Sequence, residues 1–435
     1  MDPRISMTLS VALVALAPAA PLACGGGGSA NQGGVGVDGS AGNGSSSGNA
    51  ATSSGTAGDD GGGTTTSSGT GGTGGSSTGT SGASSGSSSG SGTGSSGADG
   101  GAPPAGDASV DASGPLDASV LAVMRKVADW QLAQGGIGAI DWIHGAMWTG
   151  IMATYKVTGD AKYLTAITNW GNTAQFSLTG GVTTNADNQC VAQTYFDTYL
   201  LSPSAANMNM VLGAKPSFDA MVTSGNAGWT WEDALFMSPP GLTRLGVIEN
   251  DPKYFQLLDT NWWGAYTALF SPANGLMCRD PNCGTTFWGR GNGWVVAGTA
   301  RVLEYLPQTD PKYASYVTML STMAAALKPW QGTDGMWRSD ITHPMRFPNP
   351  ETSGTGFMTF GIAWGVNHGL LDAATYAPVA RSAWKGLVGV VAPSGMVGYV
   401  QPVGAAPAAA TATNTAPYGV GALLLAGSEM ARLGP

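Results

Sequence analysis

Gly293-Trp294-Val295-Val296-Ala297-Gly298-Thr299-Ala300 decides the fold. The stretch carries no charge, and a helix wound from it has no polar face, so it must be buried on all sides. Tyr418-Gly419-Val420-Gly421-Ala422-Leu423 has the same character. The segments between such stretches differ: Leu121, Met124, Val127 and Ala128 recur at helical spacing along one face only, and alternating strand patterns are scarce. The spacing predicts twelve helices, over 117–134, 145–157, 161–176, 188–201, 205–222, 232–247, 251–270, 292–306, 311–329, 354–371, 374–391 and 417–432. Asp160-Ala161-Lys162-Tyr163, Asp251-Pro252-Lys253-Tyr254 and Asp310-Pro311-Lys312-Tyr313 each open an odd-numbered helix. Asp at the N-cap, with Pro at the first helical position in two of the three, is a start signal. Six polar-faced outer helices alternating with six nearly uncharged inner ones predict an all-α fold, a closed toroid of six hairpins, or (α/α)6 barrel. An open α-solenoid is the alternative, although its repeats are usually shorter and more regular.

The rest of the chain is a different material. Of 69 glycines, 32 lie between Cys24 and Leu116, and every aromatic residue falls from Trp130 onward. Arg4 followed by the apolar run Met7 to Ala23 reads as a signal peptide over 1–23, interrupted by Pro18 and Pro21 and too short for a spanning helix. Ala23-Cys24-Gly25 resembles a bacterial lipoprotein cleavage site, so Cys24 is a candidate for lipidation and a membrane tether; ordinary secretory cleavage is the alternative. Residues 24–115 have too few apolar groups to offset the entropy of ordering and read as a flexible Gly/Ser/Thr linker. The expected product is an exported envelope protein, tethered or secreted, with one monomeric domain over 116–435.

That domain holds 17 Lys and Arg against 20 Asp and Glu, which argues against a nucleic-acid binder. Three scattered histidines, His144, His343 and His368, give no zinc cluster, and neither a metal, a nucleotide nor a redox cofactor has sequence support.

If the hairpins close, the N-termini of all inner helices share one end. There stand Asp141-Trp142-Ile143-His144, Asn185-Ala186-Asp187-Asn188, Trp229-Thr230-Trp231-Glu232-Asp233, Trp288-Gly289-Arg290-Gly291-Asn292-Gly293-Trp294, Pro350-Glu351-Thr352-Ser353 and Thr415-Ala416-Pro417-Tyr418. Converging helix N-termini favour anions, and exposed tryptophan faces beside Asp and Arg suit an acidic sugar. Asp233 is the candidate catalytic carboxyl: it opens an apolar helix behind Trp229 and Trp231, which can desolvate it and raise its pKa. A helix-capping role competes with that reading. Glu232 is expected to be solvent-facing or structural. Asp187 is a second functional candidate, against simple capping. Trp288, Arg290 and Trp294 surround three glycines, where a guanidinium can fork onto a carboxylate. Trp231, Trp142 and His144 are further candidates to touch substrate, while Glu351-Thr352-Ser353 reads as a structural cap. Cys278 and Cys283 are candidates for a small loop disulfide, and Cys190 for a buried thiol.

Trp231 to Met237, Trp288 to Trp294 and Pro350 to Gly356, supported by Asn185-Ala186-Asp187, Gln401-Pro402 and Tyr418-Gly419, resemble the unsaturated uronyl hydrolases of glycoside hydrolase families 105 and 88, especially the unsaturated rhamnogalacturonyl hydrolases. The resemblance spans about 120–432 and implies an (α/α)6 barrel acting on sugars whose C4=C5 enol ether was left by polysaccharide lyases. It implies that Asp233 protonates C4 and helps water add at C5, that Asp187 is the second functional carboxyl, and that Trp288, Arg290 and Trp294 hold the uronate and its neighbour. Two departures bear on the sugar: no histidine lies between His144 and His343, and Asn188 stands where many relatives have a second Asp. A hydrolase of saturated glycans using Glu232 and Asp233, and a non-catalytic glycan-binding module, are the other classes.

Overall fold

Residues 115–434, apart from Cys283, are described by the computed structural model. The leader, Cys24, the linker up to residue 114 and the Cys283 half of the expected disulfide lie outside the described residues. Helices appear in all twelve predicted places. The outer ones are α1 (Ala118–Leu132), α3 (Ala161–Thr173), α6 and α7 (Asn209–Leu212, Lys215–Ser224), α10 (Lys253–Leu269), α12 (Tyr313–Leu327) and α14 (Ala373–Gly389). The inner ones are α2 (Trp142–Thr158), α4 and α5 (Ala186–Gln189, Ala192–Leu201), α8 and α9 (Ala234–Met237, Pro239–Glu249), α11 (Gly289–Leu303), α13 (Thr352–Asn367) and α15 (Pro417–Leu433).

The inner helices close on themselves. α2 packs on α5, α5 on α9, α8 and α9 on α11, α11 on α13, α13 on α15, and α15 returns to α2. This is the (α/α)6 barrel, and the open solenoid is excluded. Part of the ring is sealed by glycine: a Cβ on Gly150 would lie 2.7 Å from the Gly421 Cα, and one on Gly421 would collide with the Ala146 carbonyl. Backbones can approach that closely only where no side chain stands between them.

Outer helices are tied to one another by tyrosines. The Tyr163 hydroxyl donates to Asp129 at 3.0 Å, Tyr254 to Asp219 at 2.6 Å and Tyr316 to Asp259 at 3.1 Å. The Asp-Pro-Lys-Tyr repeats start their helices later than predicted: Asp251 and Asp310 accept from the Lys253 and Lys312 N–H groups in a turn at the helix entry.

Two predicted inner helices are broken. The 188–201 segment turns at Cys190-Val191, where the Gln193 and Thr194 N–H groups bond three residues back instead of four. The 232–247 segment breaks at Ser238, because Pro239 and Pro240 have no N–H to offer the carbonyls of Leu235 and Phe236. Gln193 of α5 fills the gap, donating its amide to the Phe236 carbonyl at 2.8 Å.

The inner helices, expected to be nearly uncharged, bury a cluster of ion pairs. Asp197 of α5 is buried and accepts from Arg244 at 2.8 Å, Arg301 at 3.3 Å and Tyr305 at 3.0 Å, with Lys156 at 3.3 Å. Burial alone would raise its pKa, but these cations hold the carboxyl well below the usual range. Each partner comes from a different turn of chain, so the residues look isolated in sequence and pair only when the ring closes.

Candidate active site

Six inner-helix starts face one end of the barrel, and their first residues interact across it. The Trp142 ring lies 6.3 Å edge-on to Trp294 and 5.3 Å from Tyr418, joining the starts of α2, α11 and α15. Glu351 caps α13 by accepting from the Ser353 and Gly354 N–H groups at 2.9 and 2.6 Å, as expected, and also accepts from the Gln401 N–H at 3.1 Å.

Asp233 immediately precedes α8 and makes no side-chain cap, so the capping role that competed for it does not hold. Its Oδ1 is out of solvent and has no hydrogen-bond partner among the described residues. Burial pushes the carboxyl up to about 6; Arg290 and Arg279 oppose the shift, and Asp187 reinforces it. Trp229 and Trp231, as expected, stand before it, the first buried and the second half-buried.

Of the two expectations for Glu232, solvent-facing or structural, the first is excluded. The residue is wholly buried, its carboxyl lying against the Cα of Gly291, where a Cβ would collide with it. Burial, with Asp233 next to it, raises its pKa well above the ordinary value. Asp187 is half-buried in the first turn of α4, and Asn185 supplies that helix's cap by accepting from the Asp187 N–H at 2.9 Å. Burial raises the Asp187 pKa as well, against the charge of Arg279. Three carboxyls that resist ionisation therefore meet at one place, which is chemistry for holding a proton near neutral pH.

The Trp288–Trp294 turn corrects the expectation of exposed tryptophan faces. Trp288 is 1% exposed and donates its indole N–H to Gln401 at 2.9 Å. Trp294 is fully buried, packed 4.0 Å from Phe357 and 4.7 Å from Phe236 between ring centroids. Arg290 does not present a free fork. Its Nη1 donates to the carbonyls of Gln401 at 2.8 Å and Pro402 at 3.2 Å and to the Tyr418 hydroxyl at 3.2 Å, and its Nη2 donates to the Gly404 carbonyl at 3.0 Å. The rings of Trp288 and Tyr418 lie 4.4 and 5.0 Å from the guanidinium carbon. Arg290 thus fixes the exposed 402–404 loop. Trp142 and His144 remain partly open; the His144 ring contacts Asp141, the cap of α2, at 2.7 Å.

Sequence reasoning passed over Arg279. It follows the short hairpin of β1 (Phe270–Ser271) and β2 (Leu276–Met277), its carbonyl accepts from the Glu232 N–H at 3.2 Å, and its charge acts on Asp187, Glu232 and Asp233 alike. The only signal was a lone arginine beside Cys278. Cys190, as expected, is a buried thiol whose pKa burial raises.

The chain is similar to several known proteins. A hydrolase of Formosa agariphila named unsaturated 3S-rhamnoglycuronyl hydrolase is 32% identical over 348 residues, covering 73% of this chain and 91% of its own. One of the same name from Alteromonas sp. (strain LOR) is 31% identical over 366 residues, covering 74% and 88%. Among solved structures, a glycosyl hydrolase family 88 protein from Bacteroides vulgatus superposes with a TM-score of 0.68 at 29% identity, covering 72% of this chain and 99% of that one. A chain named a polysaccharide lyase superposes with the same score at 33% identity, covering 72% and 97%. Residues 118–434 match the family described as Glycosyl Hydrolase Family 88. With a closed six-hairpin barrel and a cluster of protonatable carboxyls at its mouth, the chain belongs to that family and is a glycoside hydrolase.

Proposed function

We propose that the protein removes a terminal 4,5-unsaturated uronic acid from lyase-generated oligosaccharides by hydrating the C4=C5 enol ether. The observation that carries the reading is Asp233, a carboxyl raised to about 6 under the influence of Asp187, with one oxygen that has no partner among the described residues. Its proton goes to C4, leaving positive charge shared between C5 and the ring oxygen. Water adds at C5 and returns a proton to the Asp233 carboxylate. The resulting hemiketal opens and releases the neighbouring sugar. A single acid-base carboxyl suffices, so no pair at glycosidase spacing is needed. Asp187 assists by keeping Asp233 protonated. In this reading Trp231, Trp142 and His144, which are partly open, touch the sugar, while Trp288, Arg290 and Trp294 shape the wall and loop around it. The names of the Formosa and Alteromonas relatives support a rhamnose-linked uronate as the first substrate to try.

The test is the ultraviolet absorbance of the enol ether during incubation with unsaturated uronyl-rhamnose oligosaccharides. Absorbance should fall with the native protein and hold steady with Asp233→Asn. A rise on intact polysaccharide would indicate a lyase, and sugar release from saturated glycans alone would indicate an ordinary glycosidase; either result overturns the proposal.

A further inference from the structure

We infer that Arg279, and not Arg290, receives the anionic group of the substrate. The inference rests on the proposed reaction, because it concerns the same site. An acidic sugar beside three carboxyls needs a cation with donors to spare. Arg290 has few: both of its terminal nitrogens are already bonded to carbonyls of the 401–404 loop. Arg279 is placed in the opposite way. Its Nε is out of solvent and has no hydrogen-bond partner among the described residues. Leaving a buried charged donor unpaired is costly, so such a donor is most simply explained by a partner that arrives with the ligand.

Its position is firm. The Cys278 N–H bonds the Leu269 carbonyl at 2.8 Å, and the Glu232 N–H bonds the Arg279 carbonyl at 3.2 Å, which ties the arginine's backbone to the residue before Asp233. Its charge reaches Asp187, Glu232 and Asp233 together. An oxyanion on Arg279 would also partly neutralise the cation that opposes protonation of Asp233, so binding would favour the acid form. The oxyanion is either the uronate carboxylate or a sulfate ester on the adjoining sugar; both accept N–H donors in the same way.

The experiment compares native protein, Arg279→Met and Arg279→Lys on unsaturated uronyl-rhamnose, its 3-sulfated form and its uronate methyl ester. Arg279→Met is expected to lower kcat/KM about ten- to a hundredfold, mainly through KM, and Arg279→Lys to recover part of the loss. A loss on both acids with none on the ester assigns the carboxylate. A loss confined to the sulfated substrate assigns the sulfate. Unchanged kinetics on all three overturn the inference. Binding of the same sugars to Asp233→Asn, with and without Arg279→Met, is followed by tryptophan fluorescence. If the native protein hydrates nothing, the reaction fails while this titration still decides Arg279: equal affinities overturn it. Unchanged thermal melting of Arg279→Met separates lost binding from lost folding.

Discussion

The Gln193 side chain donates to the Phe236 carbonyl three residues beyond Asp233, while its own oxygen accepts from Arg301 at 2.7 Å. The arginine fixes which end of the amide faces α8, so the ion cluster around Asp197 helps seat the helix that Asp233 precedes. Gln193→Leu would leave both the carbonyl and the Arg301 Nε without partners. It should cost about 2–3 kcal/mol of stability and lower kcat at least about tenfold, with KM changed much less. Chemical denaturation and initial rates on the unsaturated disaccharide check both parts.

In the proposed reaction Asp233 must be protonated at the start. With its carboxyl raised to about 6, kcat/KM should decline as pH rises through that value. Replacing Asp187 with Asn removes one cause of the elevation, so the falling limb should move to lower pH. A pH-rate profile in which the limb stays fixed or moves upward would contradict this electrostatic assignment.

The same elevation has a stability consequence of definite sign. A carboxyl whose folded pKa exceeds its ordinary 3.8 gives stability present at low pH and lost as pH rises through about 6. Asp233→Asn should therefore be inactive yet more stable at pH 7, by on the order of 1–3 kcal/mol, with the advantage gone near pH 4. Urea titrations at the two pH values measure it.

Arg290→Lys retains the charge but cannot reach four acceptors in a plane. The 402–404 loop should loosen, with a loss of about 2–3 kcal/mol and faster proteolysis at Val403. Equal protease resistance would show that the loop is held by other means.

Gly421→Ala adds one methyl group where the Ala146 carbonyl already sits. Overpacking of this kind costs about 1–3 kcal/mol or more, and a lowered thermal midpoint with kcat per folded molecule preserved is the expected result.

The ring of hairpins was legible because uncharged Gly/Ala/aromatic stretches can only be interior helices, and Trp288–Trp294 shows one starting. Asp233 was legible for a related reason, standing at the junction of a tryptophan pair and an apolar helix. The break at Pro239-Pro240 was open to view but was read through, since apolar periodicity continues across it. Asp197, Arg244 and Arg301 could not be recognised as a cluster, being spread over more than a hundred residues and joined only by closure. Arg290 looks free in sequence because its acceptors, the Gln401, Pro402 and Gly404 carbonyls and the Tyr418 hydroxyl, lie more than a hundred positions away. Arg279 went unread because its neighbours in space, Glu232 and Asp233, precede it by more than forty positions.

Where Gly150, Gly421 and Ala146 bring main chain against main chain, nothing compressible is left to adjust. A bulkier substrate therefore cannot be admitted by repacking that seam, as it can in a pocket walled by leucines. On the proposed function, change in sugar preference is expected at the helix starts and connecting loops of the barrel mouth, at positions such as Trp142, Trp231, Arg279 and Val403. Random libraries confined to those loops should yield folded variants with altered selectivity, while libraries aimed at the seam should yield mostly protein that does not fold.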